Sequence, residues 1–199
     1  MNEQHERTWR LLRLTVGPIV RILLRPRITG RDNLPRSGPV LLVSNHQSFW
    51  DIPVLGYAQP RVIRFMAKSE LFRHRLFGRL ILAGGGFPVR RGEADRDALR
   101  TVHETMLAGG VVGIFIQGHR QVELDGAKAG AGRCAVVEEV PVVPVAISGT
   151  RDWRPGKRAR VIFGRPRTYH RDGRRPAEAY RTTADELMGE IRSLYERAL

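Results

Sequence analysis

Continuous apolar runs, separated by segments of helical periodicity, are the feature that most constrains the fold of this chain. Strands whose residues are all apolar are covered on both faces, as in parallel sheets. The predicted strands are 39–44, 62–67, 86–90, 111–117, 142–148 and 160–164. The predicted helices between and after them are 50–58, 69–82, 93–109, 127–139 and 178–198. The alternation predicts a single α/β domain with a mixed, largely parallel sheet covered by helices.

The excess of basic over acidic residues indicates which kinds of partner the protein binds. The length of 199 residues suits one well-buried domain, and the apolar fraction of 42% is ordinary for a globular protein. By contrast, 34 basic residues stand against 20 acidic residues and give a net charge of +14. Such a surface favours a polyanion: a nucleic acid, an anionic membrane or a phosphorylated substrate.

An imidazole and a carboxylate stand five residues apart in the segment 45–51, Asn-His-Gln-Ser-Phe-Trp-Asp. One continuous helix would turn the two side chains away from each other. They meet if the chain turns between them, with His46 in a loop and Asp51 in the first turn of a helix. Asp51 would then accept the Nδ1 proton and leave Nε2 free to take a proton from an alcohol. Ser48-x-x-Asp51 also fits the capping box, so a purely structural role for Asp51 is the alternative.

Further short blocks follow in a fixed order. They are Gly85-x-Phe87-x-x-Arg90, Phe115-Ile116-Gln117-Gly118-His119-Arg120 and Val140-Pro141-Val142-Val143-Pro144-Val145, with the segments 68–72 and 128–132 between them. Together with Asn45, His46 and Asp51, this set resembles the 1-acylglycerol-3-phosphate acyltransferase family of glycerolipid acyltransferases. One departure stands out, because Gln117 occupies the place of the family's usual glutamate.

The resemblance implies an O-acyltransferase with His46 as the general base and Asp51 as its orienter. A fatty acyl group would move from acyl-CoA or acyl-carrier protein, as co-substrate, to the hydroxyl of a lysophospholipid such as 1-acylglycerol-3-phosphate. By position, the acceptor would be held by Lys68, Arg90, Gln117, Gly118 and Arg120. The chain has no Gly-x-Ser-x-Gly elbow, which favours direct attack by the acceptor over an acyl-enzyme.

Two alternatives stay open at this stage. The neutral amide of Gln117 lacks the charge of a glutamate, which favours a different lyso-lipid acceptor, an aminolipid or a glycolipid. A non-catalytic basic protein that binds membrane or nucleic acid would explain the charge but not the ordered blocks. Nucleic acid is not expected, because aromatic and basic residues are not interleaved.

No cofactor or metal is expected either. The six histidines lack the spacing of metal ligands, and the absence of Gly-Lys-Ser/Thr excludes a nucleotide P-loop. The glycine clusters 84–86 and 130–132 are predicted to be tight turns, and Cys134 is predicted to be a small buried apolar residue.

Residues 6–25 predict a basic amphipathic helix. Its predicted apolar face consists of Trp9, Leu12, Val16, Ile19, Val20 and Leu23, and its basic flank of Arg7, Arg10, Arg21 and Arg25. A helix of this type suits a membrane interface, although a helix packed on its own domain gives the same pattern. No apolar stretch in it reaches the ~20 residues of a spanning helix. We therefore divide the chain into an interface helix at 1–30 and an acyltransferase domain at 31–199, and expect peripheral binding to the cytoplasmic face of the cell membrane.

Overall fold

The computed structural model of the protein describes residues 3–90, 95–121 and 123–198. The strands are β1 (Arg27–Thr29), β2 (Val40–Ser44), β3 (Ile63–Lys68), β4 (Gly86–Val89), β5 (Val111–Phe115), β6 (Val142–Ser148) and β7 (Arg160–Phe163). The α-helices are α1 (Glu3–Leu23), α2 (Asp51–Ala58), α3 (Arg75–Ala83), α4 (Arg96–Leu107), α5 (Ala129–Glu138) and α6 (Pro176–Glu196). Short 3-10 helices cover Arg31–Asn33 and Ser69–Phe72.

The seven strands form one sheet in the order β1-β7-β6-β2-β5-β3-β4. Every neighbouring pair is parallel except β6 and β7, which are antiparallel. All residues of β2 and β6 are buried, as their continuous apolar runs predict. The predicted single α/β domain with a mixed, largely parallel sheet is confirmed. Because β2, β3, β5 and β6 run parallel, their carboxyl ends lie at one edge of the sheet.

Three elements differ from the prediction in instructive ways. β1 is absent from the predicted strands, because it has three residues and two of them are exposed, so it shows no apolar run. Its place in the sheet comes from parallel pairing with β7. β5 ends at Phe115, two residues before the predicted end, because the chain turns there. The segment 69–82 is divided into a 3-10 turn and α3.

Helix α1 packs one face on the domain and leaves another apolar face exposed. Trp9, Val20 and Leu24 are buried, and the Trp9 ring lies directly over Gly56 of α2. The exposed apolar residues of α1 are Leu11, Leu14, Ile19, Ile22 and Leu23. Of the predicted apolar face, Trp9 and Val20 pack on the domain, as the alternative to a membrane-facing helix has it, whereas Ile19 and Leu23 are exposed. In the described part of the chain, none of the helices combines the length and apolar content that a bilayer crossing requires.

The two glycine clusters have different structures. Gly85 adopts a left-handed conformation (φ +84°) in a tight turn before β4, as predicted. The cluster 130–132, by contrast, lies in the first turns of α5, so its prediction as a turn is wrong. The reason is helix packing: a Cβ at Gly132 would overlap the backbone oxygen of Tyr180 on α6. Gly132 thus permits the close approach of α5 and α6.

We expect Gly132→Ala and Gly130→Ala to have opposite effects on stability. A methyl group at Gly132 forces α5 away from α6 and should lower the free energy of unfolding by about 1–3 kcal/mol. A Cβ at Gly130 meets no atom within 4 Å, so this matched change should be neutral or stabilising, by up to about 1 kcal/mol. Urea unfolding of both variants is the measurement. Equal stabilities would contradict the packing described for α5 and α6.

Candidate active site

The turn that follows β2 is fixed by the side chain of Asn45. This amide is fully buried; its Nδ2 donates to the carbonyl of Ile147 at 2.8 Å, and its Oδ1 accepts from the Ile147 N–H at 2.8 Å. The side chain thereby takes the place of the next backbone pair between β2 and β6. The chain can then leave the sheet without unpaired backbone groups on β6. His46 consequently lies in a loop at the carboxyl edge.

The loop position of His46 is held from several sides. Its backbone N–H donates to Oε1 of Gln117 at 2.8 Å, and its carbonyl accepts from the Gln121 N–H at 3.0 Å. The imidazole stacks on Phe115, with ring centroids 4.0 Å apart and an angle of 18° between the planes. Only 8% of the residue is exposed. The ring therefore has little freedom to rotate.

The Asp51 carboxylate is completely buried and accepts four hydrogen bonds. Oδ2 accepts from Nδ1 of His46 at 2.9 Å and from the N–H groups of Gln47 and Ser48 at 2.7 and 2.8 Å. Oδ1 accepts from the Thr150 hydroxyl at 2.6 Å. The chain turns between His46 and Asp51, as the sequence analysis required. The alternative capping box is only half formed: the carboxylate receives the Ser48 N–H, but Trp50 is the N-cap of α2 and its side chain makes no capping hydrogen bond.

These contacts select one tautomer of His46. An ionised carboxylate only accepts hydrogen bonds, so Nδ1 carries the proton and Nε2 presents a lone pair. His46 also lines a cavity of about 450 Å³ that is partly open to solvent. This arrangement can take a proton from a hydroxyl group that enters the cavity.

Most of the residues that line the cavity are apolar, and a smaller group is basic. Its apolar wall is built by α1, α2, α3 and the segments beside them, and includes Leu12, Val16, Ile52, Leu71, Leu80 and Ile81. Its basic lining residues, which we call the cationic wall, are Arg13, Lys68, His119 and Arg120. The Arg120 guanidinium lies 3.8 Å from the centroid of the Phe49 ring. Lys68 Nζ pairs with Glu70 at 3.1 Å, and about half of each side chain is exposed.

The chain is similar to known proteins both in sequence and in fold. The sequence profile of the family described as Acyltransferase matches residues 25–148. The chain belongs to the acyltransferase family. A 1-acyl-sn-glycerol-3-phosphate acyltransferase of Bacillus subtilis (strain 168) is 30% identical over 145 residues, which are 70% of this chain and 72% of the relative.

Two further comparisons extend the result. A lyso-ornithine lipid O-acyltransferase of Brucella abortus (strain 2308) is 34% identical over 148 residues, and the match covers 67% of this chain and 53% of the relative. The crystal structure of the 1-acyl-sn-glycerophosphate (LPA) acyltransferase PlsC from Thermotoga maritima has a TM-score of 0.70 at 22% identity. That match covers 96% of this chain and 79% of the other, and it shows the same fold.

The predicted acceptor residues of this acyltransferase fall into two groups. Lys68 and Arg120 reach the cavity together with His46. Arg90 does not line the cavity; its side chain is 60% exposed, with Asp95 and Asp97 at 3.6 and 3.9 Å. Gln117 and Gly118 do not line the cavity either. Gly118 has a φ of +72°, which suits a glycine in the turn after β5.

Gln117 joins the His46 loop to the segment that follows the third block. It is fully buried, and while Oε1 accepts from the His46 N–H, Nε2 donates to the carbonyl of Glu123 at 2.6 Å. An ionised glutamate could accept the first bond but could not donate the second. The amide therefore joins His46 to Glu123 through one accepted and one donated hydrogen bond. A carboxylate could make both bonds only when protonated.

Two contributors to the site were missed by sequence reasoning. Thr150, which binds Asp51, lies two residues beyond β6. The sequence does contain a signal for Thr150. It is a polar residue just after a buried strand, and the carboxyl ends of parallel strands lie at the same edge of a sheet. Tyr195 of α6 donates from its hydroxyl to Oε1 of Gln47 at 3.1 Å. The local sequence around Tyr195 shows only an apolar helical stripe and gives no sign of this contact.

We expect Thr150→Val to weaken both stability and turnover, and Thr150→Ser to restore both. Valine leaves Oδ1 of the buried Asp51 carboxylate without its hydroxyl donor, which should cost about 1.5–3 kcal/mol of unfolding free energy. Because Thr150 acts through Asp51 on His46, kcat should fall while the KM values stay unchanged. Chemical unfolding and steady-state acyl-transfer kinetics measure the two effects. Normal kcat in folded Thr150→Val would remove Thr150 from the site.

Proposed function

We propose that the protein transfers a fatty acyl group from acyl-CoA or acyl-carrier protein to the hydroxyl of 1-acylglycerol-3-phosphate. The observation that carries the proposal is the His46–Asp51 hydrogen bond of 2.9 Å, at a histidine that lines a largely apolar cavity. The Bacillus subtilis relative, named for this reaction, supports the choice of acceptor. General-base catalysis on an alcohol uses this pair of groups.

The proposed reaction is a direct transfer. Nε2 of His46 takes the proton from the acceptor hydroxyl as its oxygen attacks the thioester carbonyl. The tetrahedral intermediate then collapses, the C–S bond breaks, and the departing thiolate receives the proton from the imidazolium. Asp51 stabilises the transient positive charge and keeps the ring in place. The products are the diacyl lipid and the free thiol of the donor.

The cavity suits a lipid with a charged head. Each methylene group removed from water contributes about 0.8 kcal/mol, so the apolar wall can hold an acyl chain through many weak contacts. Arg120 and Lys68 line the same cavity as His46. Arg120 can hold a phosphate by two parallel hydrogen bonds, and Lys68 can neutralise it as a point charge.

The proposed location is the cytoplasmic face of the cell membrane, with anionic lipid as the partner surface. The exposed apolar residues of α1 support it, because Leu14 and Ile22 are 74% and 71% exposed. Arg10 and Arg21 flank this face. A helix with exposed leucines beside arginines gains both from apolar insertion and from attraction to anionic headgroups.

A second candidate acceptor is a lyso-ornithine lipid. Two observations favour it: Gln117 replaces the glutamate of the resembled family, and the Brucella abortus relative is named for this acceptor. The chemistry at His46 would be the same, since both acceptors present a hydroxyl. The difference would lie in the headgroup that the cationic wall receives.

The catalytic role of His46 has a direct test. His46→Ala should reduce turnover by at least ~10²-fold, because the hydroxyl loses its base. Asp51→Asn should also be severely impaired, since an amide can present N–H to Nδ1 and favour the wrong tautomer. Release of free CoA from acyl-CoA upon addition of lyso-lipid is the measurement. His170→Ala, at an exposed site, is the control and should retain activity. Near-normal rates in folded His46→Ala would refute the mechanism.

The choice of acceptor is tested through Arg120. Arg120→Ala should raise the KM for 1-acylglycerol-3-phosphate by about one to two orders of magnitude, with little change in the donor KM, because a charge-assisted contact contributes roughly 1.5–3 kcal/mol. Lyso-ornithine lipid, which lacks phosphate, is the comparison acceptor. Wild-type activity on lyso-ornithine lipid alone would select the second candidate. Equal effects of the variant on both acceptors would show that Arg120 does not bind phosphate.

A further inference from the structure

We infer that α3 is a second membrane-docking helix, and that α1 and α3 together form one face for an anionic bilayer. The inference rests on the proposed membrane location and extends it to an element that sequence analysis assigned only as a helix. We call this face the docking face; it consists of the exposed leucines, isoleucines and arginines of α1 and α3 together with Arg73. No segment outside the described residues is needed to build it.

The outer side of α3 carries large apolar residues that the rest of the described chain leaves exposed. Leu76 is 76% exposed and Leu80, one turn later, is 57% exposed. Gly78 marks the packed side, since a Cβ there would lie 2.9 Å from the carbonyl oxygen of Phe72. Leu76 and Leu80 therefore lie together on the free side of the helix, because residues four apart share a helix face. Exposed apolar patches of this kind mark interaction sites.

Arginines accompany these leucines. Arg75 and Arg79, again four residues apart, lie next to Leu76 and Leu80 on α3, and Arg73 precedes the helix; all three are exposed. The combination of exposed leucine and arginine matches the chemistry of a bilayer surface, with acyl chains below and anionic phosphates above. A protein partner would need acidic groups that match these arginines. The net charge of +14 favours the lipid surface.

The two helices of the docking face are neighbours across the cavity. Leu12 and Val16 of α1 line it from one side, and Leu80 and Ile81 of α3 line it from the other. At the base of the pair, a Cβ at Gly84 would lie 3.8 Å from Cδ1 of Leu12. The helices of the docking face thus line the same cavity as His46.

The test compares Leu76→Asp with Leu107→Asp. Both leucines are 76% exposed and lie on helices, but Leu107 is at the end of α4, outside the docking face. Binding is measured by sedimentation with vesicles of equimolar phosphatidylcholine and phosphatidylglycerol. Leu76→Asp should weaken binding about tenfold or more, because a leucine that inserts into lipid contributes at least that factor. Leu107→Asp should bind like wild type, and circular dichroism checks that both variants fold.

Further variants separate the possible outcomes. Leu14→Asp tests α1 alone and should also weaken binding. Arg75→Gln combined with Arg79→Gln should reduce binding to anionic vesicles and flatten its salt dependence. If Leu76→Asp binds vesicles like wild type while Leu14→Asp does not, α3 is not part of the docking face. If wild type ignores anionic vesicles, the membrane location itself fails.

Activity measurements separate a loss of membrane binding from a loss of catalysis. Leu76 does not line the cavity, so Leu76→Asp should acylate a short-chain, monomeric lyso-lipid at the wild-type rate. Its rate on the same headgroup presented in vesicles should fall in proportion to the loss of binding. An equal fall with both acceptors would show that Leu76 supports the fold or the cavity rather than the membrane contact. That result would overturn the inference while leaving the role of His46 untouched.

Discussion

The site depends on one buried anion, the carboxylate of Asp51. Removing such a group from water costs several kcal/mol, which only good hydrogen bonds can offset. Four donors do so here, and they come from two separate parts of the fold: three from the loop after β2, and Thr150 from beyond β6. The parallel register of β2 and β6 is therefore needed for the orientation of His46. The hydrogen bonds that orient His46 are therefore the same ones that stabilise this edge of the sheet.

The apolar residues of α1 and α3 divide between the packed interior and the exposed surface. One face of α1 completes the core through Trp9 and Val20, while the opposite face leaves Leu14 and Ile22 in solvent. The same division recurs in α3, where Ile81 lines the cavity and Leu76 is exposed. The proposed docking to a bilayer rests on this exposed apolar surface of the two helices.

Much of the fold and part of the site could be predicted from the sequence, and the limits have physical causes. Buried strands such as β2 and β6 were predictable because their apolar runs are continuous, whereas β1 owes its place to pairing with β7. The His46–Asp51 contact was predictable because only a turn brings residues at that spacing together. Thr150 was not identified, since it is 99 residues from Asp51 in the chain. The sequence indicated the substitution at Gln117, but its link to Glu123 required the structure.

The central claim is that Asp51 holds His46 with the proton on Nδ1 and a lone pair on Nε2. Long-range ¹H–¹⁵N NMR of histidine-labelled protein at alkaline pH measures this directly, with His46→Gln to assign the signal. The account predicts a protonated Nδ1 and an unprotonated Nε2 for His46 in wild type, and loss of this single-tautomer signature in Asp51→Asn. A His46 ring with its proton on Nε2, or one averaging between both tautomers in wild type, would contradict the account.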